Sequence, residues 1–328
     1  MSTVRASRHG AALVDGPPAP PSAAPAVPAT GRPTTTMRAL ISAMRPRQWP
    51  KNVLVFAAPV AAGRLDSTAV VGRTVAATVL FLLASAATYL VNDVVDAPAD
   101  RRHPVKAARP VAAGTLSPRT ALKASIVAAA VAFGGAFAID ASLGAILLAY
   151  VAITLAYSLA LKRVPYLELA CVASGFVLRA VAGGAAARLV ISPWFLAVAS
   201  AGALLIVTGK RTAELNELGA KGAAHRPVLS TYRAPALRAI RWAALSLAAS
   251  SYGLWAFDRA AHLDPGARDL DDALLRLSVL PFVIAAVLVE RALERGEGAA
   301  PEELVLHRWW LQLLGAACLG LIIAAIYS

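Results

Sequence analysis

Uncharged apolar runs, several about as long as a bilayer is thick, constrain this chain more than any other feature. Residues 141–161 and 189–209 hold no charged side chain. A helix needs about 20 such residues to cross the hydrocarbon core of a membrane. Hydrophobic residues make up 58% of the chain and mean hydropathy is +0.62, whereas soluble domains average about 45–50% apolar. Membrane β-barrel strands alternate polar and apolar residues, and these runs do not. The pattern excludes a soluble enzyme, a disordered protein and a disulfide scaffold. It predicts an all-α, polytopic membrane protein.

Residues 1–36 are rich in Pro, Ala, Ser and Thr. So many prolines admit no helical period, and the stretch lacks the unbroken apolar core of a signal peptide, so a disordered tail is expected. Residues 37–328 make the membrane domain. An amphipathic helix should lead from Met37, with Arg38 and Arg45 as interface anchors. Nine transmembrane helices are expected, over 51–66, 70–91, 118–138, 142–161, 167–187, 192–210, 236–257, 273–292 and 304–327. Lys and Arg gather in one set of loops, with Arg101, Arg102, Lys106, Arg109, Lys162, Arg163, Lys210, Arg211, Lys221, Arg226, Arg233, Arg238, Arg291 and Arg295. The opposite set holds Arg64, Arg73, Arg188, Arg259 and Arg268 together with Asp258, Asp264, Asp269, Asp271 and Asp272. Basic loops face the cytoplasm, so the N-terminus lies inside and the C-terminus outside, in a plasma-membrane protein. Those loops account for the net charge of +13 as orientation signals and anionic-lipid contacts, without nucleic acid as a partner. Cys171 and Cys318 fall within apolar runs and read as buried thiols.

The sharpest motif is N92-D-V-V-D-A-P-A-D100, followed by R101-R-H-P-V-K-A-A-R109, at the end of the second predicted span. On a helix Asn92, Asp96 and Asp100 share a face, and Asp93 and Asp96 are one turn apart. Three carboxylates that close repel one another unless a cation sits among them. Mg2+ suits the site, since it takes oxygen ligands and uses one or two carboxylates plus substrate phosphates. Pro98 should break or restart the helix. A solvated acidic helix end, salt-bridged to the neighbouring bases, is the plainer alternative, although acids at a helix C-terminus oppose the macrodipole.

Two further ends repeat the acid-plus-base theme. Y157-S-L-A-L-K-R163 leads to Glu168 and then to Arg179, which lies about three turns into the fifth span. A lone arginine within a span usually faces a polar cavity or a neighbouring helix. G209-K-R-T-A-E-L215 supplies Lys210, Arg211 and Glu214. The leading segment R45-P-R-Q-W-P-K-N52 brings Lys51 and Asn52 to the same membrane face. GxSxG, HExxH, CxxC and P-loop patterns are absent from the sequence.

The first acidic motif, after the second of nine helices, resembles that of the UbiA superfamily of intramembrane prenyltransferases. RPRQWPKN (45–52), NDVVDAPADRRHPVKAARPVAAG (92–114), YSLALKR (157–163), ASGFVLRAVAGG (173–184), GKRTAEL (209–215) and YGLWAF (252–257) are similar to its decaprenyl-phosphate phosphoribosyltransferase branch. The chain departs from the superfamily in two places. A second DxxxD motif is replaced by Glu168, and an Asp–Arg pair near the last helix is replaced by His307–Arg308.

The resemblance implies an enzyme that moves 5-phosphoribose from phosphoribosyl diphosphate to a polyprenyl phosphate such as decaprenyl phosphate. Mg2+ would be its cofactor and diphosphate its leaving group, with cell-wall arabinan as the product's destination and a homo-oligomer compatible with it. In that reading Asp93, Asp96 and Asp100 hold the metal against the donor diphosphate, and Asn92 orients an oxygen. Arg101, Lys106 and Arg109 neutralise the diphosphate. Tyr157, Lys162, Glu168 and Arg179 shape the ribose and acceptor side. Lys51, Asn52, Lys210 and Arg211 close the anionic pocket. Two rivals stay open: a prenyltransferase with an isoprenoid diphosphate donor, and a non-enzymatic carrier of an anionic metabolite.

Overall fold

Capping side chains set the ends of the apolar helices. The computed structural model describes residues 33–218, 227–261, 269–299, 304 and 307–327. It starts in α1, Pro33–Ala43, then passes through a 3-10 helix, Pro46–Phe56, into the short α2, Ala57–Ala61. Ser67 Oγ accepts the Val70 N–H and opens α3, Thr68–Asp100. Ser117 Oγ accepts the Thr120 N–H to open α4, Pro118–Ile139, with the proline in its first turn, where its missing N–H costs nothing. Asp140 is the single corner residue between α4 and α5, Ala141–Leu159: its N–H closes one helix and its Oδ1 accepts the Ser142 N–H of the next. That hydrogen bond holds the Asp140 carboxyl below its usual range, and Arg188 at 3.5 Å adds to the effect. The remaining helices are α6, Leu167–Ala187; α7, Pro193–Leu218; α8, Ala234–Ala261; α9, Asp269–Leu277; α10, Val279–Glu294; and α11, Trp309–Tyr327.

Chain neighbours pack side by side from α3 to α8, and α3 also touches α5 and α6. The helices α8 to α11 form a second group, in which α11 lies against α9 and α10. Small residues line the central interfaces: Ala77, Ala84, Ala132, Ala136, Ala182 and Ala186 are buried around Phe81, Leu143 and Leu147. In lipid, close approach of small-faced helices supplies the packing that water exclusion supplies elsewhere. Gly183 marks the closest approach, since a Cβ there would stand 1.7 Å from the Val55 carbonyl oxygen. The 3-10 segment therefore lies directly on α6. Val75, Val79, Ile126, Val127, Val131, Leu148 and Leu254 point outward, which suits contact with acyl chains.

Among the described residues, seven stretches have the length and apolarity to cross a membrane: Thr68–Asp100, Pro118–Ile139, Ala141–Leu159, Leu167–Ala187, Pro193–Glu217, Asp269–Glu294 and Trp309–Ile326. The predicted nine differ in particular ways. Segment 51–66 is no single α-helix, because Pro50 lies inside the 3-10 helix and only five residues of α2 follow it. Segment 236–257 is α8, 28 residues long but carrying Arg238, Arg241, Asp258 and Arg259. Segment 273–292 falls within the Asp269–Glu294 span; the backbone bonds of Ser278 to Leu274 and Phe282 carry the helix through, and its Oγ also donates to the Leu275 carbonyl at 2.6 Å and bonds the Tyr252 hydroxyl at 2.8 Å. The last segment, 304–327, begins its long helix only at Trp309. Pro98 does not break α3, which runs past it to Asp100; the ring costs the last turn one N–H toward the Val94 carbonyl.

Helix α1 begins at Pro33, so 33–36 belong to it rather than to the tail. It is two-sided: Ala39 and Ala43 pack on Leu90, Ala97, Val111 and Leu116, while Met37 and Ile41 stay exposed. The tail expectation for 1–32 lies outside the described residues, as do Lys221, His225, Arg226, His262, Asp264 and Arg268. At about 1.5 Å per residue the 33-residue α3 is about 50 Å long, against a hydrocarbon core of about 30 Å. The helix therefore exceeds that thickness by about 20 Å, and Asp93, Asp96 and Asp100 occupy its C-terminal turns.

Candidate functional site

The acidic motif occupies the last two turns of α3, where a spacing of seven residues puts Asp93 and Asp100 on one side. Both are buried, at 2% and 4% exposure. Arg109, from the loop after α3, lies 2.7 Å from Asp100 Oδ2 and 3.7 Å from Asp93 Oδ1. Arg45, between α1 and the 3-10 helix, donates to Asp93 Oδ1 at 2.6 Å and lies over the Tyr89 ring at 4.7 Å. Arg45 was expected at the membrane interface; the fold turns it inward onto the first aspartate instead. Asp96 is half-exposed and faces Lys162 Nζ at 3.7 Å. Asn92 is half-buried beside Asp93. No three His, Cys, Asp or Glu side chains among the described residues stand close enough to hold one metal ion. The pair Asp93 and Asp100 does converge on one cationic centre, which Arg109 supplies.

A second cluster joins α6 to α7. Glu168 is fully buried, and both its oxygens accept from Arg211, Oε1 from Nε at 2.6 Å and Oε2 from Nη2 at 2.8 Å. Nη1 of Arg211 meets both oxygens of Glu214 at 2.8 and 2.7 Å. Tyr232 ties the next segment in: its hydroxyl donates to Glu168 Oε1 at 3.0 Å and accepts the Tyr166 N–H at 3.1 Å. Tyr166, directly before α6, has φ at 61° and ψ at −42°, a sparsely populated backbone conformation, and its N–H finds a partner in the Tyr232 hydroxyl. Burial pushes the Tyr232 phenol up to about 12, and the Glu168 carboxylate adds to it. Arg211 is 3% exposed and fully engaged by carboxylates. Tyr157 and Lys210 are half-buried at the same end.

A third cluster explains Arg179. Its Nε donates to Asn52 Oδ1 at 2.9 Å, Nη1 to the Gly175 carbonyl at 2.7 Å, and Nη2 to Ser85 Oγ at 3.2 Å and the Tyr150 hydroxyl at 2.8 Å. The guanidinium also lies 4.7 Å from the Tyr150 ring centre. Every one of these partners is neutral, and together they join the 3-10 segment, α3, α5 and α6. Lys51, next to Asn52, lies 6.0 Å from the Phe176 ring.

Other predicted bases stand apart. Arg101 donates from Nε to the Ala112 carbonyl at 3.3 Å and is exposed, as is Lys106. One buried pair was missed entirely: Arg241 of α8 binds both oxygens of Glu290 of α10 at 2.9 Å and Thr212 Oγ1 at 2.6 Å. In the sequence Arg241 stands three residues from Arg238 and Glu290 directly before Arg291, so both read as ordinary charged helix ends. For Arg45 the only signal is the proline that follows it.

The donor chemistry of the first cluster fits a hard divalent ion: carboxylate oxygens, two of them already sharing one cation, since such an ion takes one or two carboxylates together with substrate phosphates. The second cluster does not, since a guanidinium that is itself buried fills the space between its acids.

The family model for the UbiA prenyltransferase family matches residues 53–263. The decaprenyl-phosphate phosphoribosyltransferase of Mycobacterium tuberculosis (strain CDC 1551 / Oshkosh) is 36% identical over 301 residues, 90% of this chain and 97% of the relative. The protein of the same name from Corynebacterium glutamicum is 39% identical over 293 residues, 88% of this chain and 86% of the relative. A solved UbiA homolog from Archaeoglobus fulgidus, bound to DMAPP and Mg2+, matches with a TM-score of 0.64 at 16% identity, covering 88% of this chain and 99% of that one. That last likeness is one of fold.

Proposed function

The chain belongs to the UbiA prenyltransferase family, and from that premise we propose that it transfers 5-phosphoribose from phosphoribosyl diphosphate to a polyprenyl phosphate. The observation that carries this reading is identity of 36% and 39%, over nearly the whole chain, to two decaprenyl-phosphate phosphoribosyltransferases. In the reaction the ribose C1–O bond to diphosphate breaks and a C1–O bond to the acceptor phosphate forms. The acceptor phosphate is anionic near neutral pH, so no strong general base is required. Catalysis rests on positioning and on charge stabilisation of the leaving group.

In this reading Asp93 and Asp100 hold Mg2+, with Asp96 beside them and Asn92 orienting an oxygen. The ion, when bound, neutralises charge on the departing diphosphate. Arg109 and Lys162 already stand on the three aspartates and bind donor oxygens when these become available; Arg101 and Lys106 border the same end. Lys51, Tyr157 and Lys210 bind the ribose phosphate and acceptor head. Glu168, Arg211, Asn52 and Arg179 act by holding this wall in shape, since their polar atoms face one another. The neutral partners of Arg179 also count against a carrier, which needs charged side chains along a path through the bilayer.

The same reading has the bases at the cytoplasmic face of the plasma membrane and nine crossings, with α8 and the 46–61 segment adding to the seven apolar helices. Arabinan precursor synthesis is the pathway that such a product serves. The deciding experiment offers purified protein labelled phosphoribosyl diphosphate or labelled prenyl diphosphate, with polyprenyl phosphate, and measures which label enters the lipid phase. Ribose label is expected there; prenyl label alone would overturn the proposal. Asp93→Asn should lose at least about 100-fold in turnover, the ordinary scale for one electrostatic contact to a reacting group. Full turnover with Mg2+ in that variant would remove Asp93 from the metal site.

A further inference from the structure

Arg45 and Arg211 bind buried carboxylates in different ways. Arg211 is sealed in, at 3% exposure, and cannot leave Glu168 without unpacking two helices. Arg45 bonds Asp93 at 2.6 Å, yet its side chain is 30% exposed. It can withdraw. Its backbone sits at φ 55 and ψ 66, in the left-handed region and directly before Pro46. Both conditions are unfavourable for a residue with a Cβ. A glycine would take that turn more easily, but only a long side chain reaches Asp93 from it. Arg109 holds Asp100 from the other side, and its side chain is 28% exposed. Two guanidinium groups therefore neutralise two buried carboxylates that the proposed function assigns to a divalent ion.

We propose that Arg45 is a displaceable counter-ion of the donor site: it competes with the divalent cation for Asp93 and, once displaced, binds an oxygen of the donor diphosphate. This rests on the donor-site reading above. A divalent ion and a guanidinium on one carboxylate oxygen repel each other strongly at such short range. Arg45 therefore weakens metal binding in the resting protein. The donor offers phosphate oxygens to both cations and removes the conflict. Metal and donor then bind with positive coupling, which is reciprocal by linkage. The guanidinium lies 4.7 Å from the Tyr89 ring while it bonds Asp93, a contact that leaves its remaining N–H donors free to turn toward a donor oxygen.

The test uses the full-length protein and Mn2+ as the probe, followed by electron paramagnetic resonance with no acceptor present, so that no turnover occurs. Wild-type protein should bind Mn2+ weakly alone and more tightly with phosphoribosyl diphosphate. Arg45→Gln should bind Mn2+ alone about 5-fold more tightly or better, the lower end of ordinary coupling. It should bind labelled donor more weakly at saturating Mn2+. Arg45→Lys keeps the charge and should stay near wild type in Mn2+ affinity. A glutamine variant whose Mn2+ affinity is unchanged or weaker without donor overturns the proposal. A donor that fails to tighten Mn2+ binding to the wild-type protein overturns it independently of any variant. If ribose transfer proceeds normally while either of those results is found, only this inference falls. If the wild-type protein neither binds the donor nor transfers its ribose, the donor-site reading falls with it.

Discussion

Replacing Glu168 by glutamine separates a packing role from a metal role at the second cluster. Glutamine keeps the volume and one oxygen, so the Arg211 Nε bond and the Tyr232 bond at Oε1 can survive. The other end becomes an NH2 group facing the Nη2 donor of Arg211, which now holds a 2.8 Å bond to Oε2. One charge-assisted hydrogen bond is lost, a contribution of about 1.5–3 kcal/mol. Glu214 still binds Nη1, so the guanidinium keeps one carboxylate. The expected destabilisation is about 2–3 kcal/mol, below the ~3–5 kcal/mol for stripping a buried ion of its partner. Arg211→Gln should reach that larger value, because it leaves a fully buried carboxylate with no cation. The double variant should lose less than the sum of the two, since neither group then carries an unpaired charge. Thermal unfolding in detergent measures all three. In the same samples the Mg2+ concentration for half-maximal ribose transfer should match wild type in Glu168→Gln. Wild-type melting combined with a raised Mg2+ requirement would refute the argument and give Glu168 a part in metal binding.

Two further substitutions probe the frame. Gly183→Ala puts a Cβ 1.7 Å from the Val55 carbonyl oxygen, so the 3-10 segment must move; a loss of about 3 kcal/mol or failure to fold is expected, while Gly202→Ala, with open space at its Cβ, should fold normally. Thermal melting of both decides the point. Tyr232→Phe removes bonds to the Tyr166 N–H and Glu168 and should cost about 1–2 kcal/mol. Because the folded phenol is raised to about 12 from an unfolded value of about 10, its contribution is complete below about pH 10 and fades as pH rises through about 12. Wild type should therefore lose more stability than Tyr232→Phe across that window, and parallel curves would contradict the linkage.

The long apolar helices were legible because a bilayer demands an unbroken helical hydrogen-bond ladder. Residues 118–138 became Pro118–Ile139, and 167–187 became Leu167–Ala187. Segment 51–66 was not legible as a 3-10 helix, since its geometry answers to Gly183 on a helix more than a hundred residues away. The bond between the Ser278 and Tyr252 hydroxyls joins two helices that no local pattern pairs. At the site, spacing alone locates the acidic motif at the end of α3, but it does not show that Asp93 and Asp100 share Arg109 while Asp96 turns to Lys162. Nor could the other partners be read: Arg45 is expected as an interface anchor and Arg241 falls inside the predicted 236–257 span, and only packing shows that one meets Asp93 and the other Glu290. Charge tells which end of the bundle a side chain occupies. It does not tell which carboxylate it finds.

The surplus length of α3 carries a kinetic consequence. On the proposed function, with Asp93 to Asp100 in the last turns of a helix about 50 Å long against a hydrocarbon core of about 30 Å, a water-soluble sugar donor arrives by diffusion through bulk solvent, whereas a polyprenol-linked acceptor arrives by sliding within one leaflet. Encounter with the acceptor then scales with its surface density, not its molar concentration. Diluting labelled vesicles with inert lipid should slow turnover even when the total amount of acceptor in the tube is held constant.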